Sequence, residues 1–131
     1  MASSLQLDIV TPSASIYSGP AAEVIIPAWE GQMGIYPQHD TLLALLRAGV
    51  CTVATPEGTQ RYVVGRGFAD MGPDSVTLLT DSCELASEVD KGKAQADLAE
   101  AQAKRDAAVP FTGAHEQATA AVEHAQARLD A

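Results

Sequence analysis

Basic residues are scarce in this chain of 131 residues: eight Lys and Arg stand against 17 Asp and Glu, a formal net charge of -9. Nucleic acids and anionic lipid surfaces are bound mainly through clusters of Lys and Arg. We therefore expect no nucleic acid as a partner and no direct insertion into lipid. A protein is the kind of partner that this composition favours.

Long apolar runs are also missing. No stretch approaches the ~18 consecutive apolar residues that a membrane-spanning helix needs, so the sequence predicts no membrane span. The first four residues, Met-Ala-Ser-Ser, contain no charged region that leads into an apolar run, so no signal peptide is expected. The chain is expected to stay in the cytoplasm.

Cysteine is rare, and residue patterns typical of reactive sites are missing. Cys51 and Cys83 lie far apart, and neither belongs to a C-x-x-C pair, so we expect both to be buried small hydrophobes. His115 and His124 are nine residues apart, which is not a metal-binding spacing on one helix face. No serine or cysteine nucleophile motif occurs. The sequence predicts no metal site and no catalytic residue.

One histidine leaves a catalytic interpretation open. His39 stands next to Asp40 and near Glu30 and Tyr36, and such a set could form an acid and base pair. A single loop histidine more often makes a contact or a structural hydrogen bond. We favour that second interpretation.

Short apolar runs are present from Leu5 to Thr80, many alternating with polar residues and separated by turn signals every eight to twelve residues. This pattern predicts an N-terminal antiparallel β-sandwich or flattened barrel. Gly19-Pro20 and Pro27 are expected to end two of the strands. The Leu-rich run of residues 41–47 favours a helix by propensity, but its length and neighbours indicate a strand or short turn.

The segment Gly65-Arg66-Gly67 begins like a dinucleotide-binding fingerprint. It lacks the third glycine, and no helix is predicted after it. We therefore expect a corner or bulge of the sheet at this point.

The composition changes near residue 87, where we divide the chain into a sandwich domain of residues 1–86 and a tail of residues 87–131. Residues 88–131 contain 14 alanines, and a Pro-Phe-Thr-Gly turn interrupts them. The pattern predicts an antiparallel two-helix hairpin, which makes the fold class α+β. The first helix should begin near Glu88, with Ser87 and Asp90 as a capping box, and the second should run from about Ala114 to Leu129.

Large apolar residues are few in this tail, and alanine buries little surface at ~25 cal/mol per Å². We therefore expect the hairpin to be held lightly and to be able to open; the alternative is an ordinary packed two-helix tail. The larger apolar residues are Val89, Leu98, Val109, Val122 and Leu129.

A run beginning at Glu30 reads E-G-x-x-G-I-Y-P-x-H-x-x-L-L, and this pattern resembles the epsilon subunit of bacterial F-type ATP synthases. The likeness extends in order over nearly the whole chain, including residues 7–10, 17–19, 67–69 and 76–79. The family fold is a β-sandwich with a C-terminal helical hairpin, in agreement with the prediction from the residues alone.

The resemblance implies a non-catalytic subunit of the central rotor of a proton-translocating ATP synthase, peripheral on the cytoplasmic face of the bacterial inner membrane. The sandwich would bind the gamma subunit and rest on the ring of c subunits. The matching ring-contact positions are Glu30, Gln32, Tyr36 and His39. An extended tail would reach the alpha and beta subunits of the catalytic head and block ATP hydrolysis.

The resemblance also implies ATP as a possible ligand of the folded hairpin, and no other cofactor. Residues 89–94 are similar to the nucleotide pattern of some members, which assigns nucleotide contacts to Asp90 and Lys93. Lys93 stands where an arginine is expected, so the planar bidentate fork is lost. Arg128 is the only basic residue after Ala114, and we therefore expect tail-mediated inhibition to be weak.

A different class of function is the alternative. Under this alternative, the chain is a free-standing β-sandwich whose loop at residues 30–39 holds a small molecule.

Overall fold

The computed structural model describes residues 4–131. Ten strands are followed by one 3-10 turn at Ala86–Glu88 and two helices. The strands are β1 (Leu5–Val10), β2 (Ser15–Ala21), β3 (Glu23–Ala28), β4 (Gly31–Ile35), β5 (Leu42–Leu46), β6 (Gly49–Thr55), β7 (Gly58–Val64), β8 (Gly67–Met71), β9 (Ser75–Thr80) and β10 (Cys83–Leu85), and the helices are α1 (Lys91–Ala107) and α2 (Gly113–Asp130). The predicted fold class is confirmed.

The strands pair in the order β10-β7-β6-β3-β5-β8-β9-β1-β2, and β4 pairs with the other edge of β3. This path folds into a nearly closed sandwich. All pairs are antiparallel except β1 with β9, whose register runs from Gln6 opposite Ser75 to Val10 opposite Leu79. A parallel pair needs a long connection, and the intervening strands of the sandwich supply it.

The core lies between the two layers of the sandwich, because period-two alternation points every second side chain inward. Leu5, Leu7 and Ile9 of β1 are fully buried in it. Cys51 is also buried, and Cys83 is half-buried against the same core. Burial raises the pKa of the Cys51 thiol to about 12 and that of Cys83 to about 11. Cys51 is therefore a buried core residue, as predicted, whereas Cys83 is partly buried and packs against the core.

The Leu-rich run forms strand β5, so the predicted strand is confirmed over the helix that propensity favours. The expected strand ends at Gly19-Pro20 and Pro27 are wrong, since β2 continues to Ala21 and β3 to Ala28. Proline is tolerated in β2 because β2 is the last strand of the order, where a missing N–H interrupts no ladder between two neighbours.

Gly67 packs tightly against the backbone of β9. A Cβ atom built on Gly67 would lie 1.8 Å from the carbonyl oxygen of Leu79. One on Gly65 would lie 1.7 Å from a carboxylate oxygen of Asp81. The two glycines serve close packing at the connection between β7 and β8, and a strand rather than the helix of a dinucleotide fingerprint follows them.

Helix α1 begins at Lys91, later than predicted, and the expected Ser87 cap is wrong. Asp90 is the N-cap, and its carboxylate accepts a hydrogen bond of 3.1 Å from the backbone N–H of Lys93. The shift arises because Val89 is extended (φ -72°, ψ 128°), which separates the 3-10 turn from the helix. Helix α2 matches its predicted span within one residue at each end.

Candidate functional sites on the sandwich and the hairpin

The four predicted ring-contact residues lie along strand β4 and the loop after it. Glu30 sits in the turn between β3 and β4, Gln32 lies within β4, and Tyr36 follows it; all three are exposed. Strand β4 itself covers only Gly31–Ile35, so Glu30 lies just before it and Tyr36 just after it. The set thus forms a strip that runs from the turn before β4, along the strand and into the loop after it.

Local backbone geometry fixes this strip. Gly31 has φ +136°, a conformation that L side chains rarely adopt, and it lets the chain turn tightly into β4. The Tyr36 ring lies over Gly34, where an added Cβ would be 3.3 Å from the ring. His39 is half-buried, and its Nδ1 lies 2.8 Å from the backbone oxygen of Asp40. This contact makes His39 a structural hydrogen-bonding residue of the loop rather than one partner of a side-chain acid and base pair.

A second surface, which we call the outer apolar face, was missed by the sequence interpretation. It consists of Leu43 and Leu45 of β5, Phe68 of β8 and Leu79 of β9, with Trp29 at its border. Leu45 is opposite Phe68, and Phe68 is opposite Leu79, so three large side chains form a row across three strands. These three side chains and that of Leu43 are between 46% and 65% exposed. Isolated exposed apolar residues are normal, but a contiguous group of this kind marks a contact surface.

The sequence does contain a signal for this face. Every residue of β5, Leu-Leu-Ala-Leu-Leu, is apolar, although alternate residues of a strand point to opposite sides. Only one side can face the core, so the other must meet a partner or water.

Helix α2 is tied to the sandwich by Arg66. Its Nε and Nη2 each donate a hydrogen bond of 3.1 Å to the carboxylate of Glu123, and its Nη1 donates one of 2.6 Å to Glu116. These bonds, to Glu123 first and Glu116 second, raise the pKa of the Arg66 guanidinium above its usual value. The guanidinium carbon also lies 5.4 Å from the centroid of the Trp29 ring. Paired, planar hydrogen bonds of this kind are the strong form of an ion pair.

A second attachment involves Arg128 near the end of α2. Its side chain is only 13% exposed, with Nε 2.6 Å from Glu84 and Nη1 3.5 Å from Asp97. The only basic residue that sequence interpretation found on the second helix is therefore engaged within the folded chain.

The two predicted nucleotide contacts are both occupied by bonds within α1. Asp90 caps the helix, and the Nζ of Lys93 lies 3.0 Å from a carboxylate oxygen of Asp97. Asp97 also faces Arg128, so the residues form a chain of alternating charges. A groove of about 660 Å³ runs between α1 and α2, with Asp97, Lys104 and Arg128 among its lining residues.

Across residues 4–131, no three or more His, Cys, Asp or Glu side chains gather at metal-binding geometry.

In that same part of the chain, neither helix combines the length and the apolar character that crossing a membrane requires.

Comparison with known proteins connects this architecture to one family. The model of the ATP synthase Delta/Epsilon chain, beta-sandwich domain, matches residues 4–86. The ATP synthase epsilon chain of Synechococcus sp. (strain WH7803) is 36% identical over 130 residues, covering 98% of this chain and 96% of that protein. That of Rippkaea orientalis is 36% identical over 129 residues, with 97% and 95% covered.

Solved structures agree. In the Euglena gracilis mitochondrial ATP synthase, a structure described as OSCP/F1/c-ring in rotational state 1, one chain superposes with a TM-score of 0.82 at 26% identity. The match covers 96% of this chain and 79% of that one. A chain of the Tetrahymena thermophila mitochondrial ATP synthase central stalk/c-ring superposes with a TM-score of 0.63 at 13% identity, which supports the fold alone.

A β-sandwich carrying a C-terminal helical hairpin, matched at this level, defines the class of delta and epsilon subunits of ATP synthases. Within that class, the chain belongs to the epsilon chain family of the F-type enzyme.

Proposed function

We propose that this chain is a rotor subunit of a proton-translocating F-type ATP synthase on the cytoplasmic face of the bacterial inner membrane. It joins the gamma subunit to the c-ring, so that ring rotation reaches the catalytic head and drives ATP synthesis. It is itself non-catalytic. The observation that carries the proposal is the outer apolar face, which leaves large side chains in water on a rigid sheet.

The outer apolar face is the proposed docking site for gamma. At ~25 cal/mol per Å², covering a few hundred Å² of such a face contributes on the order of 5–10 kcal/mol before the cost of association. Phe68 is the proposed anchor, because it lies at the centre of the row between Leu45 and Leu79. Interfaces concentrate their binding energy in a few well-packed residues near their centre.

The strip along β4 is the proposed contact with the c-ring, through Glu30, Gln32, Tyr36 and His39. It belongs to a strand that pairs only with β3 among the described residues, so its other edge remains available. Gln32 is uncharged, and Glu30 therefore supplies the charge of this contact. An edge strand that is paired along its length with β3, a strand inside the sheet, suits a surface that must transmit torque.

The tail, residues 87–131, is proposed as a regulatory unit that binds alpha and beta when extended. Inhibition by it should be weak, because the docked state occupies Arg128 with Glu84 and Asp97. ATP binding through Asp90 and Lys93 would require the Lys93 ammonium to leave the Asp97 carboxylate and bind a phosphate instead. Calorimetric titration of the isolated chain with ATP tests this change of partner. A binding heat equal to that of the Lys93→Met control would contradict it.

The experiment for the rotor assignment is reconstitution with an enzyme depleted of this subunit, with synthesis and hydrolysis both measured. Phe68→Glu should lower affinity for gamma by at least about a hundredfold, since it buries an unpaired charge, and should uncouple proton flow from synthesis. The matched control is Val109→Glu, an equally drastic change at an exposed apolar residue outside the face. Wild-type affinity for gamma in a folded Phe68→Glu chain would contradict the assignment.

The same assay examines the ring contact. Tyr36→Ala should leave gamma binding intact and lower the coupling of proton flow to synthesis.

The alternative function, a free-standing ligand-binding module, is disfavoured by family membership. A chain of that kind would be stabilised by a small molecule in a thermal-shift panel.

A further inference from the structure

Cations are unevenly placed in the first 90 residues, which contain only Arg47, Arg61 and Arg66. Two of these three flank one aromatic ring: the guanidinium carbons of Arg47 and Arg66 lie 5.5 Å and 5.4 Å from the centroid of Trp29. Two like charges repel each other, so an arrangement of this kind needs a compensating anion. Helix α2 supplies it.

Glu123 is that anion. It accepts both hydrogen bonds of the Arg66 fork, and one of its oxygens is 3.9 Å from Arg47. The side chains of Arg66 and Glu123 are only 27% and 18% exposed, so water screens this pair incompletely. Glu116, about two helical turns away on α2, adds a third hydrogen bond, from a second carboxylate, to the same guanidinium.

Apolar packing at this junction is slight. The stripe of α2 that faces the sandwich carries Glu116, Ala120, Glu123 and Ala127 at helical spacing, so its apolar members are alanines. A cavity of about 360 Å³ also remains between α2 and the sandwich, and its lining includes Arg66 and Ala120. Little apolar area is therefore buried here, and the charged contacts must supply most of the attachment.

We propose that Arg66, braced on Trp29 and bonded to Glu123, is the main contact that holds the hairpin docked on the sandwich, with the Arg128–Glu84 pair as the second. The docked hairpin is then an ionic state, most stable at low salt and weakened when the Arg66–Glu123 pair is replaced or, to the smaller degree that its partial burial allows, screened. The regulatory meaning of release rests on the proposed function, but the docking equilibrium belongs to the isolated chain and is measured there.

Hydrogen exchange of the full chain, followed by mass spectrometry, measures docking through the amides of α2 and of β6 beneath it. Arg66→Gln and Glu123→Gln should each lower the docking equilibrium constant about tenfold, because each removes a bidentate charged contact that is partly exposed. The double variant should lose little more than either single one. Arg61→Gln is the matched control, since Arg61 is exposed on β7 and should change docking less than about twofold.

Salt gives a test without any substitution. Between about 0.1 M and about 1 M salt the screening length falls from about 10 Å to about 3 Å, so exchange of α2 should rise in the wild-type chain and rise less in Arg66→Gln, which loses the Arg66–Glu123 pair and keeps the Arg128–Glu84 attachment. Trp29, the single tryptophan, reports the same event by its emission. Docking that is indifferent to salt, or additive losses in the double variant, would overturn the proposal. Neither result depends on gamma, so a failed rotor assignment would be recognised separately.

Discussion

At the scale of single residues, Gly67 leaves no room for a side chain, because its nearest neighbours are backbone atoms. A methyl group there would meet the main chain of Leu79 and Thr80, and backbone yields less readily than the end of a side chain. We expect Gly67→Ala to lower the free energy of unfolding by about 2–3 kcal/mol, as forced overpacking does. Urea denaturation measures it. Gly113→Ala is the control, because nothing lies within 4 Å of its added Cβ; equal losses in the two variants would contradict the steric explanation.

Single residues were predictable where one local rule acts alone. The spacing and context of Cys51 and Cys83 were enough to assign them to the core. The first cap was not predictable, because Ser87 and Asp90 both fit the capping pattern, and the extended backbone of Val89 decided between them. Arg66 was named only as part of a glycine segment, since its partners lie 50 and 57 residues further along the chain.

At the scale of elements, Lys91 joins the start of α1 to the end of α2. The Nζ of this first residue of α1 donates to the carbonyls of Arg128 at 2.8 Å and Leu129 at 2.9 Å, and also to that of Ala131. The last carbonyls of a helix have no partner within the helix. Lys91 therefore acts as a C-terminal cap supplied by a neighbouring helix.

Removal of this cap should loosen the end of α2. We expect Lys91→Met to cost about 1 kcal/mol and to speed hydrogen exchange in the last turn of α2, as loss of a charged hydrogen-bond donor does. Lys104→Met is the matched control, because Lys104 pairs with Glu100 on the same exposed helix face. Unchanged exchange at the end of α2 in Lys91→Met would show that the cap contributes nothing.

Elements were largely predictable because alternation, turn signals and alanine content are properties of short segments. The outer apolar face was not predicted, although the all-apolar sequence of β5 indicates it. Helix propensity posed a choice between helix and strand for this run, and that choice does not depend on which residues lie on the two sides of a strand. The residues of the strip were assigned by resemblance, and the structure adds that Gln32 lies within β4 while Glu30 precedes the strand and Tyr36 follows it.

At the scale of the whole molecule, the core is self-sufficient. Among residues 4–131, the buried apolar cluster draws only on residues from Leu5 to Leu78, with Cys83 and Leu85 packed beside it, and the helices contribute no member to it. Deletion of residues 89–131 should therefore leave a folded sandwich with a cooperative thermal transition. Calorimetry of the truncated chain measures this, and a molten or aggregated product would contradict it.

The same truncation addresses regulation in the assembled enzyme. Because Arg128 is the only basic residue of α2 and is engaged in the docked state, we expect ATP hydrolysis to change by less than about twofold. Steady-state hydrolysis by the reconstituted enzyme measures the effect. A large rise on truncation would show that the tail inhibits strongly despite its small number of basic residues.

The parallel pairing of β1 with β9 also limits when the sandwich can form while the chain is being synthesised. On the ribosome, Leu5–Val10 emerges long before Ser75–Thr80 has been synthesised, and until then it can pair only with β2. A lone two-stranded hairpin is marginally stable in water. Completion of the β body must therefore wait until nearly all of its residues have been translated, and the alanine-rich helices are the next segment to follow.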